Sequence, residues 1–163
     1  MSNPTRDLVS YVQWFYPLSG VEAVLLRLQD EQSLDVLLLL TACWLSDTGM
    51  QLSAEDWDDL CGIHLPWQRE VVEPLRVARR AVAQRDREAP LYAQLKACEQ
   101  AAEWYQLEVV GVFCEDRARA ADSACEGLGL LQQCCVAQLG SISAEIRRDL
   151  AALLRLADLP TPE

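Results

Sequence analysis

The sequence predicts an all-α fold, a single-domain helical bundle of roughly six to eight helices with one long antiparallel helical pair. Three observations carry this. Apolar residues recur at helical spacing from end to end, cap and stop residues punctuate those stretches, and no segment shows the strict alternation of a half-buried strand. The 163 residues are 51% apolar and 24% charged, enough for one core and too few for two. Residues 1–163 therefore read as one domain.

The elements follow in order. Asn3 before Pro4 reads as a helix start, and that helix must end before Pro17. A second helix, near Gly20 to Gln32, places Val21, Val24, Leu25 and Leu28 on one stripe, with Glu22, Arg27, Asp30 and Glu31 towards water. Ser33 is expected to cap a third helix that is apolar around most of its circumference, from Leu34 to Leu45, and Gly49 to stop it. A helix without a polar face belongs at the centre of the bundle. Ser53 with Asp56 imitates a capping box and opens a short helix, and another is expected to start near Pro66, kinked or interrupted at Pro74. Gln84 to Pro90 is a polar joint. Pro90 opens the longest helix, whose Leu91, Leu95, Cys98, Ala102, Tyr105, Val109 and Val112 form a narrow seam for one partner helix. Gly127 and Gly129 break the pattern, Leu128 to Leu139 reads as a further helix, and Ser143 caps a last one ending before Pro160.

Composition then removes whole classes of function. With 14 Lys+Arg against 25 Asp+Glu the net charge is -11, and Lys96 is the sole lysine, so nucleic acid is disfavoured as a partner. Leu34 to Leu45 is 12 residues long and contains Asp35, whereas a membrane span needs about 20. No basic leader with an apolar core opens the chain. Seven cysteines, Cys125 among them, form no CxxC pair, which fits a reducing cytoplasm better than a disulfide framework.

The charge is unevenly divided. Residues 28–68 hold eight acids and neither Lys nor Arg; residues 69–87 hold six arginines against three acids. On an ideal helix Arg69, Arg76 and Arg80 share one face with Arg79 beside them, and guanidinium groups grip carboxylates and phosphates bidentately. The competing reading is internal pairing with the acidic stretch. Asp35, inside an apolar helix, must cap, pair, or be pushed towards its neutral form. His64, the single histidine, lies near Cys61 in what reads as a joint, too small a set for a zinc site, and the helical cysteines resemble core residues. Trp14, Trp44, Trp57, Trp67 and Trp104 either pack the core with satisfied indole N–H groups or line an apolar groove. No phosphate-binding glycine loop, HExxH or GxSxG occurs.

The runs PLSGVEAVLLRLQDEQSLDVLLLLTACWLSDTG, LPWQREVVEPLRVARR and LYAQLKACEQAAEW resemble a family of small proteobacterial helical proteins that form a domain of unknown function. The resemblance rests on Gly20 to Glu22, Leu28 to Asp30, Asp35 to Leu40, Trp44, and Trp67 to Arg80, and covers residues 1–112; the segment 113–163 diverges. Leu37 stands where the pattern leads one to expect asparagine. The resemblance implies a helical cytoplasmic protein and no particular activity.

Together these readings predict a non-enzymatic interaction or adaptor protein that binds a protein partner through Trp67, Arg69, Arg76, Arg79 and Arg80, without metal or cofactor. The alternative is a small apolar-ligand binder or enzyme with a core pocket of Asp35, Trp44 and Trp67. A homodimer through the Leu91 to Val112 helix is a further expectation.

Overall fold

The computed structural model describes residues 6–122 and 127–158. The helix start expected at Asn3 and Pro4, Cys125, and the stop at Pro160 lie outside them. The fold is all-α: α1 (Leu8–Phe15), α2 (Val21–Gln32), α3 (Val36–Thr48), α4 (Ala54–Trp67), α5 (Glu73–Arg85), α6 (Pro90–Arg117), α7 (Gly127–Leu139) and α8 (Ala144–Ala157). Two short strands, β1 (Met50–Gln51) and β2 (Arg119–Ala120), pair antiparallel and tie the end of α3 to the end of α6. Gly127 and Gly129, expected to break the pattern, are accommodated within α7.

The third helix sits at the centre, as a helix without a polar face must. Every residue from Leu38 to Leu45 is buried, with α1, α2, α6 and α7 packed around them. Its N-terminus is half-buried at the turn from α2, where its free N–H groups still need an acceptor. Asp35 supplies one, its carboxylate accepting from the Leu38 N–H at 2.9 Å. Ser33 does not cap α3 as expected. It ends α2 in the left-handed region (φ 57), which turns the chain sharply enough for the two helices to be separated by only Ser33, Leu34 and Asp35. Gly49 closes α3 at φ 68, and Ser53 with Asp56 forms the anticipated capping box on α4.

The largest departure concerns Pro66, whereas the interruption expected at Pro74 takes the form of a π turn just before it. No helix starts at Pro66. The chain runs helically from Ala54 to Arg85, so His64 belongs to α4 and not to a joint, and Pro66 lies within that helix. A proline removes the N–H that would bond four residues back. For Pro66 and Pro74 those orphaned carbonyls belong to Gly62 and Glu70, both exposed, so water can satisfy them. Between the prolines, Gln68–Val72 widens into one π turn, in which the Glu73 N–H reaches back to the Gln68 carbonyl.

The rod of α4, π turn and α5 runs antiparallel to α6 and forms the expected long pair. No residue of α5 is buried, so α5 and the first half of α6 stand out from the body as an arm. Arg27 and Asp149 clamp α2 to α8 through two hydrogen bonds, of 2.6 and 3.1 Å.

Two substitutions separate conformational from packing effects. A Cβ at Gly49 would meet nothing within 4 Å, so Gly49→Ala loses only the left-handed backbone preference, about 1 kcal/mol. Gly62, equally unobstructed but at an ordinary helical conformation, should gain about 0.5–1 kcal/mol on replacement by Ala. Urea unfolding of both variants should move in opposite directions. Asp35→Ala should cost about 3 kcal/mol in the same assay, the sum of a lost cap and an orphaned buried donor.

Candidate functional site

A cleft of about 930 Å3 lies between the arm and the body. Its floor is apolar, formed by Val12, Leu37, Leu40, Leu65 and Leu107. One wall is the turn from α2 into α3, from Asp30 to Asp35, and the other is α5 and α6, with Arg76, Arg79, Arg80, Glu99, Glu103 and Trp104. Thus the acidic helix junction and the arginine-rich helix, singled out separately in the sequence, face each other across one opening.

The arm is held together by charge. The Arg76 guanidinium donates from Nε to Glu99 at 3.0 Å, from Nη1 to Glu73 at 3.1 Å and from Nη2 to Glu103 at 3.1 Å, and Arg79 Nε donates to the other Glu99 oxygen. Glu99 is buried between two cations on a neighbouring helix. Burial pushes its carboxyl up, but the hydrogen bonds and charges of Arg79 and Arg76 outweigh that and hold it below the usual range. Burial raises the Glu103 carboxyl, and its share of Arg76 only partly offsets this.

The expected arginine face is therefore split. Arg76 and Arg79 turn onto α6, Arg80 remains exposed at the cleft, and Arg69 bonds its exposed neighbour Glu70 at 3.0 Å, away from it. The π turn explains the separation. Residues seven apart differ by about 20° around a regular helix, and the wider turn adds roughly a quarter turn between Arg69 and Arg76. The arginine partners also differ from the acidic stretch proposed for them, being Glu73, Glu99 and Glu103. Glu99, Glu103 and Gln68 are among the cleft residues that sequence reasoning missed, while Trp104 is the one of the five tryptophans that lines the cleft. Folding the chain about the joint at 84–90 places 76 opposite 99, which is the signal that could have found them.

Asp35 lines the cleft, and Trp44 and Trp67 do not. The Trp44 indole N–H donates to the Arg6 carbonyl at 2.8 Å. That of Trp67 donates to the Ala102 carbonyl at 3.2 Å, with its ring 5.0 Å from that of Tyr105. Trp57 is fully buried, and its indole N–H meets no acceptor among the described residues. Behind Asp35 the buried His64 places Nε2 2.8 Å from Oδ1; a carboxylate can only accept, so Nε2 carries the proton. The Asp35 N–H donates to Gln138 Oε1 on α7 at 2.8 Å. Burial pushes the Cys61 thiol up to about 11 and those of Cys114 and Cys135 to about 12, keeping them protonated near neutrality. Among the described residues no three His, Cys, Asp or Glu side chains gather as a metal needs.

The Glu99 pair predicts an acid dependence. Its carboxyl titrates lower in the folded protein than in the unfolded chain, so its contribution is complete above about pH 4.5 and disappears as pH falls through the lowered value. Glu99→Gln should cost about 2–3 kcal/mol at pH 7, because Arg76 and Arg79 lose their shared counter-charge. The gap between wild type and variant in urea midpoint should narrow as pH falls below about 4.5 and close once Glu99 is protonated in the folded protein too.

No helix among the described residues is long and apolar enough to cross a membrane. No curated protein and no solved structure matches the chain. One family matches residues 7–110, from α1 well into α6, a span containing every residue that lines the cleft. The chain belongs to that family, described as "Protein of unknown function (DUF2390)".

Proposed function

We propose that this chain is a non-enzymatic cytoplasmic adaptor, which receives a segment of a partner protein in the cleft between its arm and its body. One observation carries the reading: the α2–α3 junction and the α5 arginines converge on a single opening of about 930 Å3 with an apolar floor and a charged rim. Anchoring side chains of the partner would fill the floor at Leu37, Leu40 and Leu107, where buried apolar contact supplies most binding energy. Arg80 and Trp104 stand at the rim, Trp104 being 38% exposed, and would meet a carboxylate and an apolar side chain respectively. Arg76 and Arg79 take a structural part in this arrangement, holding the wall in place through Glu99. The rim arginine contributes mainly to orientation and association rate.

A second reading, a small amphiphilic ligand in the same cleft, is favoured by its volume, which falls in the range of about 300–1,000 Å3 typical of ligand sites.

The test is affinity capture from native cells, comparing wild type with Arg80→Glu, Trp104→Ala and Leu37→Glu. All three should lose the same captured protein while helical circular dichroism persists. Retention of that protein by all three variants would overturn the cleft as the docking site. Native mass spectrometry of wild type separates the second reading: a retained mass of a few hundred daltons supports the small ligand.

A further inference from the structure

The seam on α6 was expected to pack against one neighbouring helix within the chain, and it does so only in part. The arm meets α6 through Glu99, Glu103 and Ala102, and Trp67 covers one side of Tyr105; every seventh residue of the seam stays exposed. Leu91 is 51% exposed, Tyr105 54% and Val112 66%, and Cys98 between them is exposed too. A strict seven-residue repeat drifts slowly around a straight helix and fits another helix crossing it at about 20° in a left-handed supercoil.

The geometry points to this exposed α6 face as the interface of an antiparallel homodimer, with a second copy of the chain as its occupant. The stripe is its own complement about a two-fold axis passing between Ala101 and Ala102. That axis sets Leu91 against Val112 and Cys98 against Tyr105, while small Ala101 at the midpoint lets the two backbones approach. Charge selects the orientation. The same axis brings exposed Arg87, in the turn before α6, opposite Asp116, whose side chain is 79% exposed and, among the described residues, meets only its neighbour Arg117 at 3.3 Å. A parallel pair would instead stack Asp116 on Asp116 and Arg87 on Arg87, which repel.

The face stands apart from the cleft, which α6 lines with Gln100, Glu103, Trp104 and Leu107. Dimerisation therefore leaves the cleft open, and its failure would leave the adaptor reading standing. One helical seam about 32 Å long is a small interface, so association is expected on the order of 10 µM.

Sedimentation velocity over a concentration series tests this. Wild type should shift towards twice the 18.3 kDa chain mass, while Leu91→Glu and Val112→Glu, at positions the fold leaves exposed, should stay monomeric with unchanged circular dichroism. A second measurement reads the orientation. Under mild oxidation Tyr105→Cys should form a covalent dimer, because the new thiol faces Cys98 of the partner subunit, and adding Cys98→Ser should abolish it. Wild type that stays monomeric at roughly ten times that concentration overturns the proposal, as does a dimer indifferent to both glutamate substitutions. Efficient Cys98-dependent crosslinking of wild type, without gain from Tyr105→Cys, overturns the antiparallel orientation.

Discussion

An apolar helix threaded through the centre of a bundle must still find acceptors for its first N–H groups, and α3 begins at a half-buried turn. The carboxylate of Asp35 solves that problem for α3 and simultaneously accepts from His64 on α4, while its backbone N–H is taken by Gln138 on α7. Three helices thus meet at one residue. A buried polar junction of this kind is costly when incomplete and specifying when complete, since no slip of α3 along its axis preserves all three bonds. The position of the cleft follows from it: the same turn that places Asp35 also presents Ser33, Leu34 and Val36 to the opening.

Charge organises the arm in a different way. α5 buries no side chain, so it cannot be held by apolar packing alone. Glu99 does what a core would otherwise do, bridging Arg76 and Arg79 from the neighbouring helix. An arm fixed by ion pairs rather than by interdigitated apolar groups can present apolar residues outward on α6 without losing its place.

Much of this was legible in the sequence, and the failures have a common cause. The fold class, the central position of α3, the stop at Gly49, the box at Ser53 and the last cap at Ser143 all follow from chemistry within one helical turn. Ser33 and Asp35 were both credible caps, and the choice depended on how tightly α2 must turn into α3, which is a tertiary quantity. Pro66 was read as a helix start because a proline suits a first turn, which is a local fact, whereas the exposure of Gly62 that lets the helix run through it is not; the interruption read at Pro74 is the π turn just before it. The π turn then moved Arg69 away from Arg76, so a face drawn with regular helical spacing could not survive it. At the site, Asp35, Arg76, Arg79 and Arg80 were visible as unusual residues, but Glu99 became visible only once the hairpin was folded.

The family match ends within α6, yet the core does not. Leu131, Cys134 and Cys135 of α7 are buried against α3, and Ile146, Leu150 and Leu153 of α8 complete the same cluster. The matched span is consequently not a unit of folding. Cut free at residue 110, it would show solvent the most apolar surface of its central helix, along with the Asp35 N–H that Gln138 had satisfied. What the last two helices must supply is volume, hydrophobicity and one amide in the right place, requirements that many different sequences meet.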